Sequence, residues 1–380
     1  IDTNLDNTNL DKDIDGLKGK LGKIGSVAGT AFKGVATAVG AVGSAMTAVA
    51  GAALKIGTDY QQASNQLQVS TGANMARMEE LNEVMKNVYA NNFGEDMNDV
   101  ANSIALVDKQ IENLDNASLQ QITEYAIGLR DTFDYDVSES VRSAKALIDN
   151  FGISGQEAYS LIAQGAQNGL DYSGELLDSI SEYSVQFAKI GLDAEDMFDI
   201  FASGAENGAF NLDKIGDAIK EFSIRAIDGS NTTIEGFTKL GLNADEMAQK
   251  FARGGDTAKE AFYQVIQQLG NMDNKVEQSK VGVDLFGTMW EDLGPEVITQ
   301  LGSMQGAFDQ TYDTMEDINA IKYNDLGSAL KGIGRIIQTN VLLPMSEGVL
   351  PFFNQFANEI KDAFSGENID TQGIINAISN

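Results

Sequence analysis

The sequence predicts an all-α fold, in which a small-residue-rich N-terminal helix is followed by a glycine-punctuated array of short amphipathic helical hairpins. After Tyr60, apolar residues recur at the spacing of one helix face in successive short segments. No stretch shows the sustained alternation of apolar and polar residues that is typical of a half-buried strand. The chain has 39 glycines and only three prolines among 380 residues, which favours many helices separated by glycine turns.

The first two predicted segments differ in polarity. Residues 1–20 are predicted to be a polar, frayed lead-in, and residues 21–57 a hydrophobic helix rich in Gly, Ala and Val. Residues 34–54 carry no charge, and this length matches the ~20 residues with which a helix crosses a bilayer. Because Leu, Ile and Phe are almost absent from this run, we expect insertion to be marginal. Two interpretations stay open: a helix in the core of an oligomer in water, or a segment that enters a membrane.

A stripe of residues along this helix is the candidate oligomer seam or membrane segment. Its apolar members alternate in steps of four and three, the period of a coiled-coil seam. Small residues at four-residue spacing, such as Ala36 and Gly40, would let helix backbones approach closely. The candidate residues are Val35, Val39, Gly40, Val42, Met46 and Val49.

Residues 58–320 are predicted to form a helical core with internal repeats. The segment that begins at Gly152 aligns with the one that begins at Gly191, at an offset of 39 residues, and a partial copy begins at Gly241. In each copy a glycine ends one helix and a short polar residue starts the next. The repeats cover residues 152–190, 191–229 and, in part, 241–254, and the predicted caps are Ser154, Asp193 and Asn243. Since such hairpins cannot bury their apolar faces alone, we expect them to stack on one another.

Two segments of the core have particularly clear apolar faces. In residues 75–89 the face consists of Met75, Met78, Leu81, Met85 and Val88, and in residues 136–149 of Val137, Val141, Ala144, Leu147 and Ile148. Residues 321–380 are predicted to form further amphipathic helices, interrupted by Pro344 and Pro351. We expect these to pack against the core or a partner, because their apolar stretch is shorter than the ~18 residues of a membrane span.

Composition excludes most enzyme classes. The chain has no cysteine and no histidine, so disulfides, Cys/His zinc sites, thiol nucleophiles and Ser-His-Asp triads are ruled out. Its net charge is −30, and all of this lies after residue 60, because the first 60 residues carry six acidic and six basic side chains. A surface of this charge repels nucleic acid and anionic lipid. We therefore expect no enzymatic activity, no cofactor, no metal and no specific nucleic-acid binding.

Two motifs with catalytic or metal-binding character are interpreted as structural. Residues 11–16 resemble the start of a calcium-binding EF-hand loop, but Gly22 stands where the closing glutamate is needed. Glu291 and Asp292 are the most suggestive carboxylate pair, next to the single tryptophan, Trp290. Adjacent helical residues point about 100° apart, so these two could not flank one glycosidic bond. We expect Trp290 to pack in the core with Leu285, Phe286 and Leu293.

Several blocks between residues 56 and 320 resemble the core of phage tail tape measure proteins, a family also found in phage-tail-like bacteriocin particles. The most specific blocks are residues 213–222, Asp-Lys-Ile-Gly-Asp-Ala-Ile-Lys-Glu-Phe, and residues 281–294, which contain Leu-Phe-Gly-Thr-Met-Trp-Glu-Asp. The Ser70-Thr-Gly72 turn, the segment 100–105, the two glycine repeats and Asn207-Gly-Ala-Phe-Asn211 add to the match. The motif residues are Gly152, Gly191, Gly208, Phe210, Asp213, Gly216, Glu221, Phe222, Phe286, Gly287, Trp290 and Glu291.

The resemblance implies a structural and delivery role. Proteins of this family set tail length during assembly and are ejected to help genome or ion passage across the host envelope. The implied partners are further copies of the chain, with a trimer favoured, the tail tube, the distal tail and tip or baseplate proteins, and the host membrane. The implied location is the inside of the tail tube or tip, and the host membrane after ejection. The chain begins at Ile1 with no secretory signal, and we expect it to be part of a longer protein.

Two other functions remain alternatives. A stand-alone pore-forming protein would use residues 34–54 as an independent membrane-active helix. A glycosidase that depends only on acidic residues is less favoured, since no plausible carboxylate pair is present. Membrane activity and cell-wall degradation by the isolated protein separate these alternatives from the structural role.

Overall fold

The computed structural model describes residues 42–321, 326–344 and 346. Across these residues the regular structure is helical, without a strand, which confirms the all-α prediction. The first helices are α1 (Val42–Thr71), α2 (Met75–Ala90), α3 (Met97–Gln110), α4 (Asn116–Phe133), α5 (Val137–Phe151), α6 (Gly155–Gln167), α7 (Leu176–Lys189), α8 (Ala194–Glu206) and α9 (Leu212–Asp228). They are followed by α10 (Asn231–Lys239), α11 (Ala244–Arg253), α12 (Gly255–Gly270), α13 (Lys275–Phe286), α14 (Met289–Leu293), α15 (Pro295–Ile298), α16 (Thr314–Ile321) and α17 (Leu326–Ile337).

The chain divides into two compact units. Of the first unit the structure describes residues 42–62, which begin α1, and residues 326–344 and 346, which include α17 and its continuation into a π-helical turn at Gln338–Leu342. The second unit, residues 63–325, contains α2 to α16. The predicted hydrophobic helix ends at residue 57, but helix α1 continues beyond this residue without a break. None of the described helices combines the length and the hydropathy of a membrane span.

Short polar side chains start most helices of the second unit, as local sequence chemistry predicts. Ser154 and Glu157 form a reciprocal capping box at the start of α6, and Asp193 and Asp196 form another at α8. Asn243 caps α11 by accepting a hydrogen bond from the backbone N–H of Glu246 at 3.0 Å. All three predicted caps are therefore present.

The two clear apolar faces are buried, with two corrections. Met78, Leu81, Met85 and Val88 of α2 and Val137, Val141, Ala144 and Leu147 of α5 are buried. Met75 is 80% exposed, so its assignment to the core face was wrong. Met75 is the first residue of α2, and the buried face of this helix begins only at Met78. Ile148 is only half-buried, at the margin of the α5 face.

Three successive hairpins form the centre of the second unit: the first hairpin (α4–α5), the second hairpin (α6–α7) and the third hairpin (α8–α9). Helices α4, α6 and α8 pack in one row, and α5, α7 and α9 pack in a second row. Each hairpin thus covers the apolar face of the next, as stacked repeats require.

The first hairpin is a repeat that the sequence analysis missed. Asn113, Gly152 and Gly191 are spaced by 39 residues, and all three have left-handed φ values, of 61°, 72° and 77°. The helix caps that follow them, Asp115, Ser154 and Asp193, have the same spacing. Asparagine replaces glycine here because it is one of the few other residues that tolerate the left-handed conformation.

Candidate functional site

Helix α9 brings together many of the motif residues. Phe222 of α9 is fully buried, and its ring stacks on that of Phe286 with centroids 5.0 Å apart. It also meets Phe251 edge-on at 5.2 Å and Phe262 at 5.4 Å. These rings come from α9, α11, α12 and α13, so Phe222 is the centre of an aromatic cluster that joins four helices.

Gly216 and Asp213 fix α9 on α7 through Tyr183. A Cβ atom at residue 216 would lie 2.2 Å from Cδ2 of the Tyr183 ring, so this ring occupies the space of a side chain. The Tyr183 hydroxyl lies within hydrogen-bond distance of two carboxylate acceptors, at 2.7 Å from Asp213 Oδ1 and 3.0 Å from Asp217 Oδ1. Burial and the two carboxylates raise the pKa of Tyr183, so the phenol stays neutral. The contact therefore holds two neighbouring hairpins in register.

Glu221 and Gly287 meet beside Arg225. Arg225 Nε donates to Glu221 Oε2 at 3.1 Å. Gly287 has a left-handed φ of 57°, and a Cβ atom there would lie 2.9 Å from Glu221 Oε2 and from Arg225 Nη2. Glycine thus lets the turn between α13 and α14 pack directly on the ion pair of α9.

Trp290 is buried, with 3% of its surface exposed, as its core interpretation expects. A Cβ atom at Gly282 would lie 2.0 Å from the Trp290 ring, so α13 and α14 are in close contact. The neighbouring carboxylates have separate roles. Glu291 is exposed. Asp292 forms an ion pair with Lys214, whose Nζ lies 2.9 Å from Asp292 Oδ2, and this pair links α14 to α9.

The glycines of the repeat turns differ in their surroundings. Gly208 has a left-handed φ of 94° in open space, like Gly152 at 72°. At Gly191 a Cβ atom would lie 2.2 Å from the carbonyl oxygen of Gly255, so this turn also abuts α12. Phe210 follows the turn at Gly208 and is 85% exposed, so this motif residue adds nothing to the core.

A lysine and two aspartates join the third hairpin to α12. Lys259 Nζ lies 2.8 Å from Asp193 Oδ2 and 2.7 Å from Asp196 Oδ2. Burial opposes ionisation of Asp193, but Lys259 holds its pKa below the ordinary value. Burial raises the pKa of Asp196, which Lys259 offsets only in part. Tyr263 completes the network by donating to Asp196 Oδ1 at 2.9 Å.

Asp199 holds an irregular segment, residues 304–313, which we call the strap. Its carboxylate accepts three backbone N–H groups, from Gly306 at 2.6 Å, Ala307 at 3.0 Å and Phe308 at 3.3 Å. The residue is only 2% exposed, and this burial raises its pKa in spite of the three donors. The arrangement resembles a helix N-cap, but it is made between distant parts of the chain.

Other side chains of the second and third hairpins extend the same contact. Gln164 of α6 both donates to the carbonyl oxygen of Asp309 at 2.7 Å and accepts from its N–H at 3.1 Å. From α8, Ser203 accepts from Met304 N–H at 3.0 Å and Glu195 from Gln310 N–H at 3.0 Å. The strap is thus bound mainly through its backbone. Sequence reasoning missed this feature, although an acid amid the apolar residues 197–201 was a signal of a buried acceptor.

The strap leads into α16, which lies on the first and second hairpins. Met315 is fully buried, and a Cβ atom at Gly128 of α4 would lie 2.5 Å from Asn319 Oδ1. At the junction, Asp313 accepts hydrogen bonds from Tyr125 of α4 and Gln156 of α6. The strap and α16 therefore bridge all three hairpins.

Part of the candidate seam can be located. Val35, Val39 and Gly40 lie outside the described residues, as do residues 11–16, whereas Val42, Met46 and Val49 belong to helix α1. In the part of the chain that the structure describes, no group of three or more acidic side chains is placed to hold a metal ion.

The fold and its buried contacts define a helical-repeat protein. The polar contacts of Tyr183, Lys259 and Asp199 join its hairpins to one another, to α12 and to the strap. Comparison with protein families matches residues 87–287, more than half of the chain, to the phage-related minor tail proteins. The chain therefore belongs to this family and is a phage tail protein.

The chain is also similar to a protein described as the probable tape measure protein of Streptomyces phage phiC31. The two are 38% identical over 208 residues, which cover 53% of this chain and 28% of that relative. The resemblance to tape measure proteins is thereby confirmed. The chain spans less than a third of the relative's length. No solved structure matches the chain.

Proposed function

We propose that this chain is the folded core of a tape measure protein, which sets tail length during assembly. The observation that carries the proposal is the 38% identity to the phiC31 protein over 208 residues. The stacked hairpins fold the chain back on itself, so the length-measuring part is expected in other helical regions of the parent protein. The core would then anchor that part to tail tube and tip proteins.

Tail length tests this role. A deletion of 100 residues from a helical region of the parent protein outside residues 63–325 should shorten the tail by about 150 Å, at ~1.5 Å per residue. Electron micrographs of purified tails measure the change, and a scrambled segment of equal length and helix propensity is the control. Tails of unchanged length that still contain the shortened protein would contradict the proposal.

We further propose that Val35, Val39, Gly40, Val42, Met46 and Val49 form a seam between copies, with a trimer favoured. The four-three spacing of the apolar residues supports this, since it matches a coiled-coil interface. The chain has no cysteine, so one can be introduced alone. Val42→Cys should give disulfide-linked dimers under oxidation, whereas Ser44→Cys, about 200° around the helix, should not. Equal linkage at both positions would contradict the seam.

Ejection through the tail and passage of genome or ions across the host envelope form the last part of the proposal. The uncharged residues 34–54 support it, because a helix of small residues is stable between copies in water yet long enough for a bilayer. Dye release from liposomes by the intact protein should occur, and Val39→Asp with Met46→Asp should abolish it. The alternative, a stand-alone pore-forming protein, predicts the same release but no incorporation into tails.

We infer that the chain has no enzymatic role, since it lacks His and Cys and belongs to a family of structural tail proteins. Cell-wall zymography of the purified chain should show no clearing. A cleared band that persists at the position of this chain, and disappears with Glu291→Gln, would contradict the inference.

A further inference from the structure

The turns inside the three hairpins meet at one end of the array. Tyr135, in the turn of the first hairpin, lies close enough to Asp171, in the turn of the second, for that carboxylate to raise the pKa of the phenol together with burial. The second turn reaches the third through Tyr172, whose hydroxyl donates to the carbonyl oxygen of Ala209 at 3.1 Å. Asn211 Nδ2 also lies 3.4 Å from Glu175 Oε1. We call residues 131–139, 171–178 and 206–213, which surround these turns, the turn edge.

Two aromatic side chains of the turn edge are exposed. Phe210 is 85% exposed, the highest value among the large apolar residues that the structure describes, and Tyr172 is 46% exposed. The Tyr172–Ala209 hydrogen bond places the Tyr172 phenol beside the peptide that leads into Phe210. Exposed aromatic side chains are typical anchors of protein interfaces.

The charge around these aromatics has one sign. The three segments of the turn edge contain no lysine or arginine, and their acidic residues are Asp131, Asp134, Asp136, Glu139, Asp171, Glu175, Asp178, Glu206 and Asp213. Arg130, Arg142 and Lys214 lie just outside these segments and pair with Asp131, Asp178 and Asp292, respectively. The remaining carboxylates leave the edge strongly acidic.

We propose that the turn edge is a docking surface for a different tail protein, one that presents an apolar socket for Phe210 within a basic surface. Charge complementarity identifies this occupant, because a basic surface is attracted to the carboxylates while the socket covers the exposed ring. A second copy of the core does not fit, since residues 61–380 carry 50 acidic and 20 basic side chains. Nucleic acid and anionic membrane are repelled for the same reason. The inference rests on the proposed role as a tail component, but not on length measurement.

Site-specific photocrosslinking tests this surface in assembled tails. The probe is p-benzoylphenylalanine, introduced at residue 210 of the intact protein, with the same substitution at Val276 as the control because that residue is 79% exposed and lies outside the turn edge. We expect crosslinking at residue 210 to exceed the control at least severalfold, and the attached peptide to come from another tail protein and to lie among lysines and arginines.

Crosslinking to a further copy of this chain, to DNA, or at the level of the Val276 control would overturn the proposal. Tails that lack the protein altogether would instead overturn the proposed function, and the inference with it. Substitution gives an independent measure: Phe210→Ser should weaken co-purification of the partner about tenfold, the effect typical of an interface anchor, whereas Val276→Ser should not. Equal co-purification of both folded variants would also contradict the docking surface.

Discussion

At the scale of single residues, a few tight contacts hold the helices of the second unit in register, and they leave no room for a larger side chain. Gly216 touches the Tyr183 ring, and Gly282 touches the Trp290 ring. Asp199 satisfies three backbone N–H groups of the strap. The Tyr183 and Asp199 contacts join segments that are far apart in the sequence, and the Gly282–Trp290 contact joins the consecutive helices α13 and α14, so all of them fix tertiary structure and not only a helix.

Gly216→Ala should destabilise the second unit. The new Cβ atom would lie 2.2 Å from the Tyr183 ring, which Asp213 and Asp217 hold in place, so α7 and α9 would have to separate. Overpacking of this kind typically costs about 1–3 kcal/mol, and we expect the upper part of this range. Urea unfolding followed by circular dichroism measures the change. Gly270→Ala is the matched control, since its Cβ atom would meet Thr299 at an ordinary 3.6 Å, so this helical position should keep or slightly gain stability.

Asp199→Ala should release the strap. The substitution leaves three backbone N–H groups without their acceptor, and the one of Phe308 is buried. An unsatisfied buried donor costs about 1–3 kcal/mol. Hydrogen exchange of the amides of Gly306, Ala307 and Phe308 should become much faster, while Asp199→Asn, which keeps one acceptor oxygen, should have an intermediate effect. Unchanged protection in the alanine variant would show that the strap is held by other contacts.

At the scale of elements, the sequence predicts what is local and misses what is distant. Helix caps and glycine turns depend on a few neighbouring residues, so Ser154, Asp193 and Asn243 could be identified in advance. The first hairpin was missed because Asn113 stands in place of glycine, although Leu114 and Asp115 match the third hairpin. The strap could not be predicted, because its partners lie more than 100 residues away: Asp199 amid apolar residues indicates a buried acceptor, but no local pattern identifies its donors.

The equivalent caps of the second and third hairpins should differ in their effect on stability. Ser154→Ala removes a capping bond and should cost about 1 kcal/mol. Asp193→Ala should cost more, because Asp193 also pairs with Lys259 at 2.8 Å. Removing Lys259 as well, in a double-mutant cycle, should bring the two cap effects closer together. Equal losses for the two single variants would indicate that the Lys259 contact adds no stability.

At the scale of the whole molecule, buried tyrosines should make the fold sensitive to high pH. The pKa values of Tyr125, Tyr135, Tyr159, Tyr183 and Tyr263 are all raised, mainly by burial and in most cases by nearby carboxylates. In the unfolded chain tyrosine ionises near pH 10, so above this pH the unfolded state binds fewer protons than the folded state. The free energy of unfolding should therefore fall steadily as pH rises beyond about 10.

Unfolding by urea between pH 9 and pH 11 measures this dependence. Tyr183→Phe removes one of the tyrosines, and should reduce the slope by up to ~1.4 kcal/mol per pH unit. Val276→Ser, at a surface position of the same unit, should leave the slope unchanged. A stability that is constant across this range would contradict the assignment of buried, neutral phenols.

The central proposal is that these stacked hairpins, a structural part of the phage tail, lie within the tube or tip. An image reconstruction of purified tails at a resolution that separates helices tests it most directly. We predict density inside the tube or tip that accommodates the helices of residues 63–325, with the turn edge facing another tail protein. Tails that are complete but hold no density for this core, together with a soluble chain that permeabilises liposomes alone, would contradict it.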